Sequence, residues 1–215
     1  MNSGDASHGN WRLPAGLMVL SAVPVAAGVH RLIELAAGAA ARPDNARFVA
    51  MPLPISLHVV CAIFFSVFGA LQFAGGLRLR YPDLHRVLGR GLVPCGMAVA
   101  LSGLWMTQFY PAIRFDGTAL YVVRLLAGTA MAACLCLGVA AIRRRDIGRH
   151  RAWMMRAYAL GLGAGTQVFT HIPWFLFPGM QGELARTLCM SAGWSINLAV
   201  AEWAIRAGRP QLRHG

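Results

Sequence analysis

The chain has 215 residues, 57% of them apolar and only 13% charged, with a mean hydropathy of +0.52. Soluble domains carry about 25% charge and disordered chains are poor in apolar residues, so both classes are excluded. Twenty arginines, no lysine and 8 acidic residues give a formal charge of +12. Because the arginines separate long apolar runs, they point to a membrane surface and not to nucleic acid.

A membrane-spanning helix needs about 20 mostly apolar residues. Six segments qualify: 13–37, 54–77, 87–109, 119–142, 152–177 and 185–205. The expected fold is therefore all-α, a polytopic membrane bundle of six transmembrane helices. A tail over 1–12 precedes the membrane domain 13–206, and a second tail covers 207–215. The stretch Ala36–Ala41 has the small residues of a signal-cleavage region, but the preceding apolar run exceeds the ~7–15 residues of a signal core. The first segment is read as a retained helix. Pro43-Asp44 breaks the chain after it, and Pro52 and Pro54 open the second segment. Pro82-Asp83 marks the next helix start, with proline suited to a first turn. Pro111 with Asp116-Gly117, then Pro178-Gly179, mark the third and fifth loops.

Orientation follows from arginine counting. Fourteen arginines fall on the side of the tails and the even-numbered loops; Arg31, Arg42, Arg47, Arg114 and Arg186 fall on the other, with Arg124 just inside the fourth segment. The positive-inside rule places both termini in the cytoplasm, which predicts a multi-pass membrane protein. Cys61, Cys95, Cys134, Cys136 and Cys189 all lie in apolar segments and read as small buried hydrophobes.

Ionisable groups within membrane segments are costly and tend to face the bundle interior. At helical spacing, His58 heads a face through Ala62, Phe65, Gly69 and Gln72. His85 heads one through Gly89, Gly96 and Gly103, and His150 one through Met154, Ala157, Gly161 and Ala164. Small residues let helices approach closely, so packing seams explain these faces more readily than a cofactor slot does. The second, third and fifth segments are expected to form the inner bundle. His85 and His150 fall at the cytoplasmic level, His58 and His171 at the outer one, an arrangement that suggests b-type haem ligation. His150 and His171 are 21 residues apart, about 31 Å along a helix, which argues against a two-haem wire. Arg156 with Glu202, and Glu34 with Arg124, are expected to relieve each other's charge. Gln72, Gln167 and Asn197 read as interhelical hydrogen-bond glue; Trp11, Trp174 and Trp203 suit an interfacial belt.

Two motifs carry a family resemblance. The first runs from His58 through Gln72-Phe73 to Leu77-Arg78-Leu79-Arg80-Tyr81-Pro82-Asp83-Leu84-His85-Arg86-Val87-Leu88-Gly89-Arg90. The second is His150-Arg151-Ala152-Trp153-Met154-Met155-Arg156-Ala157-Tyr158. Over residues 54–172 the chain resembles the bacterial membrane-protein family catalogued as domain of unknown function 2306. The resemblance implies a multi-pass protein of a bacterial cytoplasmic (inner) membrane, with no assigned reaction. It singles out His58, Gln72, Arg78, His85, Arg86, Arg90, His150, Trp153 and Arg156 as candidate site residues.

The functional expectation is a haem b or a metal held by His85 and His150, with Arg86 and Arg151 pairing with haem propionates. Such a site would support membrane electron transfer with a redox partner or quinone. The alternatives are a cofactor-free transporter, a protein that binds anionic lipid headgroups through its arginines, or an accessory subunit of another membrane complex. No P-loop, nucleophile elbow or zinc-protease helix occurs, and the pattern decides no enzyme class.

Overall fold

A computed structural model describes residues 11–208. The tails, including His8, Arg209, Arg213 and His214, lie outside the described residues, as does the side chain of Arg78. The described residues form helices and connecting turns, with no strand among them. In chain order the helices are α1 (Arg12–Ala36), α2 (Ala46–Ala50), α3 (Pro52–Leu71), α4 (Gly75–Arg80), α5 (Pro82–Phe109), α6 (Thr118–Arg143), α7 (Ile147–Gly161), α8 (Gly163–Thr170), α9 (Ile172–Leu176) and α10 (Glu183–Ala207).

Five of these, α1, α3, α5, α6 and α10, are long and apolar enough to cross a membrane without interruption. The expected fifth span, 152–177, is instead divided among α7, α8 and α9. Its break lies at Leu162, inside the sequence Gly161-Leu162-Gly163-Ala164-Gly165. Glycine is a poor helix former, and here each glycine meets a neighbour. A Cβ on Gly163 would stand 2.3 Å from Trp194 Nε1, and one on Gly165 2.5 Å from the Leu20 carbonyl oxygen. The Leu162 N–H still bonds to the Tyr158 carbonyl at 2.8 Å, and the Gly165 N–H bonds to the Leu162 carbonyl at 3.0 Å. The chain bends there without unwinding. The expected second span, 54–77, is also shorter than its apolar run: α3 stops at Leu71, and Gln72 sits past its end.

The inner bundle comprises α3, α5, α6 and α7. Its core joins Phe65, Leu92, Val99, Met131, Leu135 and Tyr158. The expectation of an inner bundle from the second, third and fifth segments alone is thus incomplete, because α6 supplies Met131, Cys134 and Leu135 to the same core. The small-residue faces work as packing seams. Phe65 is seated between two glycines, such that a Cβ on Gly96 would lie 2.6 Å from its ring and one on Gly161 2.7 Å. Tyr158 covers Gly69, and Met154 covers Gly138. The Tyr158 hydroxyl donates to the Ser66 carbonyl at 2.8 Å, which satisfies the one polar atom of that ring inside the core. α1 packs outside, against α3 and α8.

Successive long helices alternate in direction, so the molecule has two ends. One carries the starts of α5 and α7 with most of the arginines; the other carries α2, the 110–117 loop and the start of α10. They are called below the arginine-rich end and the cavity end.

Candidate functional site

A half-open cavity of about 330 Å³ lies between α3, α5, α6, the α7–α8 bend and α10. Along α5 it extends from Tyr110 to Val99, about 16 Å of helix, or roughly half a hydrocarbon core. Its walls are largely apolar, and six small residues among them, Ala100, Gly103, Ala127, Gly128, Gly161 and Ala164, take no space that an occupant would need. The cavity therefore exists because the seam residues leave it unfilled beyond Phe65.

His58, singled out from the sequence, lines this cavity. Its Nδ1 lies 3.0 Å from Ser102 Oγ. Ser102 Oγ is also within hydrogen-bond reach of the Ala98 and Val99 carbonyls of its own helix, and with its hydrogen turned to either of them Oγ accepts from His58 Nδ1–H. The acceptor lone pair of the neutral ring is then on Nε2. On α8, Gln167 also lines the cavity and donates to the Met190 carbonyl at 3.1 Å. Thr166 donates to Asn197 Oδ1 at 2.6 Å, and Asn197 donates to the Ala159 carbonyl at 3.1 Å. Gln167 and Asn197 are interhelical glue as expected. Gln72 is not, because its Nε2 is buried without a hydrogen-bond partner.

Charge enters the cavity at one end. Arg47, on the short helix α2, and Arg124, on α6, both line it. Asp116 is paired with Arg124 at 2.8 Å and with Arg186 at 2.7 Å, and its carboxylate is only 7% exposed. Burial pushes the Asp116 pKa up, but the two guanidinium groups outweigh it and hold the carboxyl below its ordinary value. The expected Glu34–Arg124 pair does not form. Glu34 is instead held by Arg31, Arg42 and Asn45, because the first loop folds back over the end of α1. Arg47 has no carboxylate within ion-pair distance among the described residues. Its guanidinium lies 4.6 Å from the Phe48 ring centroid, Nη1 reaches the Pro111 carbonyl only at 3.5 Å, and Nε is buried without a partner. Burial lowers its pKa, offset in part by Asp116; arginine stays charged nonetheless.

The loop that carries Asp116 is locally strained. Phe115 has φ +67°, a left-handed conformation uncommon for a bulky residue. Its ring packs edge-on to Trp174 with centroids 5.3 Å apart. This turn aims Asp116 at α6 and α10. It also corrects the expectation for Trp174, which is buried at 9% exposure under Phe115, whereas Trp11 and Trp203 are exposed.

The other predicted site residues gather at or toward the arginine-rich end, away from the cavity lining. His150 Nδ1 is 2.9 Å from the Gly138 carbonyl oxygen of α6; since a carbonyl only accepts, Nδ1 carries a proton, and in the neutral ring the lone pair is on Nε2. His85 is half-buried in the first turn of α5. Arg86 pairs with Asp83 at 3.0 Å on the exposed surface, and Arg90 is exposed. Arg151 reaches the end of α10 beside Gly208. Arg156 binds Glu202 of α10 through two hydrogen bonds, one of them 3.0 Å from Nη2 to Oε2, and its guanidinium lies 4.6 Å from the Trp153 ring. That ion pair is as expected. No group of three or more His, Cys, Asp or Glu side chains suited to a metal occurs among the described residues.

Arg47 and Asp116 were absent from the sequence candidates because both lie in connecting segments. A usable signal existed: arginines on the arginine-poor side of the chain are not explained by topology.

No curated protein and no solved structure matches the chain. A family model described as "Predicted membrane protein (DUF2306)" matches residues 55–205, from α3 to the last turn of α10. The matched region holds both motifs, His58 and the helices that form most of the cavity wall. The chain is a membrane protein and belongs to this family.

Proposed function

We propose that the chain is a multi-pass protein of a bacterial inner membrane, with both termini cytoplasmic, that binds a small amphipathic molecule inside its bundle and carries it without a cofactor. The cavity carries this reading. Its 330 Å³ falls in the range of small-molecule pockets, about 300–1,000 Å³, which pair apolar walls with a few polar groups. Interior polar groups such as His58 and Arg124 are expensive in a membrane and mark ligand paths. Leu160, Gly161 and Ala164 of the cavity wall flank the bend at Leu162, so a change in the bend would change access. Lipid headgroups are the natural contact of the exposed arginines at the opposite end.

A second reading has one observation in its favour. The Nδ1 hydrogen bond of His150 leaves Nε2 with the geometry usual for a metal-ligating imidazole, which supports a haem b or metal at His85 and His150 in electron transfer with a membrane partner or quinone. One preparation tests both. Protein purified from haem-replete cells into lipid nanodiscs is titrated with hexan-1-ol while thermal stability and oxidised and reduced spectra are recorded. The carrier reading expects a ligand-dependent rise in stability that Gly103→Leu, which fills the cavity, abolishes. A Soret band lost on replacing His85 or His150, with no alcohol-dependent shift, would replace it with the haem reading.

A further inference from the structure

We infer that the cavity selects an anionic amphiphile, whose carboxylate or phosphate head is received by Arg47 and whose single apolar tail lies along α5 and α6. The inference rests on reading the cavity as a binding site and names the chemistry of its ligand. Three features of the charged end support it. Arg124 and Arg186 pair with Asp116 and Arg47 lies within its field, while the Glu183 carboxylate sits against Gly117 of the same loop, so three guanidinium groups share two carboxylates. Asp116 is committed to Arg124 and Arg186, with both of its oxygens engaged, so its charge is answered within the protein. Arg47 is not answered. It lines the cavity with a buried Nε that no acceptor meets, and among the described residues no carboxylate lies within ion-pair distance of it.

A guanidinium whose buried Nε meets no acceptor loses hydration there that only a ligand or water can replace, and its planar fork matches carboxylate and phosphate oxygens. Glu183, whose carboxylate lies against Gly117, does not line the cavity, and the polar groups that do line this end do not oppose an anion. Tyr110 donates its hydroxyl to the Met51 carbonyl at 2.6 Å, and burial raises its pKa, so it remains neutral. Beyond the charged end the walls turn apolar through Ile55, Val99, Ala127 and Met131. Head and tail are thus provided for in one continuous space. The volume suits one short chain better than a two-chain lipid.

Binding of hexanoate, hexyl phosphate and hexan-1-ol to nanodisc-embedded protein at neutral pH tests the inference, since the three share a tail and differ in the head. Both anions are expected to bind at least tenfold tighter than the alcohol, the scale of one charge-assisted hydrogen bond. Preference for hexanoate would identify a carboxylic acid as the natural ligand, and preference for hexyl phosphate a phosphorylated one; either supports the inference. Arg47→Gln is expected to remove the anion preference while hexan-1-ol binding persists, which also shows that the variant is folded. Equal binding of all three ligands, or an anion preference that survives Arg47→Gln, would overturn the inference and leave the cavity as a binding site. Failure of every ligand, the alcohol included, would remove the underlying reading of the cavity.

Discussion

At the scale of single residues, Asp116 has the largest consequence for its size. It ties the 110–117 loop to α6 and α10 through Arg124 and Arg186, and it does so from a strained turn at Phe115. Asp116→Asn would leave two partly buried guanidinium groups without their counter-ion, and a loss of roughly 2–3 kcal/mol is expected. The pH dependence has a definite sign. The Asp116 carboxyl titrates below its ordinary value in the folded chain, so its contribution is present in full above the unfolded value, ~3.9, and is lost as pH falls through the lower folded one. Thermal unfolding in detergent from pH 7 to 3 should show wild type losing its margin over Asp116→Asn at the acid end. A constant margin across that range would show that the carboxylate charge is not what stabilises the loop. His58 illustrates the opposite kind of residue: the sequence marked it as exceptional, but only the structure shows that its Nδ1 meets Ser102 of α5.

Among elements, the contact of α3, α5 and α7 is governed by one ring between two glycines. Phe65 meets the backbone positions of Gly96 and Gly161, so helix approach and ring size are coupled. Gly161→Ala should push the Phe65 ring and cost about 1–3 kcal/mol as overpacking. Phe65→Ala should cost about 3–5 kcal/mol as a cavity. In the double variant the added methyl enters space that the ring vacated, so the combined loss is expected to fall short of the sum by at least 0.5 kcal/mol. A denaturation series on the four proteins measures it; strict additivity would mean that the two helices are not held apart by this ring. The same spacing of small residues, read along the sequence, predicted that these faces are seams. It did not predict which large side chain fills each of them, because that depends on the axial offset of neighbouring helices.

The whole molecule is polarised, with most arginines at one end and the cavity at the other. In the proposed orientation the arginine-rich end is cytoplasmic, and the tight α6–α7 turn, where Arg145 adopts φ +61°, lies inside the cell. A single cysteine at position 145 in a background lacking the five native cysteines should be labelled by a membrane-impermeant maleimide only after the cells are opened. Labelling in intact cells would reverse the orientation and put the cavity's charged end in the cytoplasm. That result would alter which aqueous phase supplies the ligand without altering the cavity.

Membrane residence, all-helical structure, most span positions and the charge asymmetry were determined by the sequence itself. Each depends on composition averaged over about 20 residues, where desolvation of the backbone admits few solutions. The Arg156–Glu202 pair was legible for a related reason: two opposite charges at the same depth have little alternative to meeting. The tertiary structure decided the bend at Leu162, the place of α6 in the inner bundle, the partner of Glu34 and the burial of Trp174. It also decided that His58, and not His85 or His150, faces the cavity. These outcomes depend on contacts between residues far apart in the chain, where an ångström of helix offset determines whether a glycine is covered by a ring or left as space. Local periodicity carries no information at that precision.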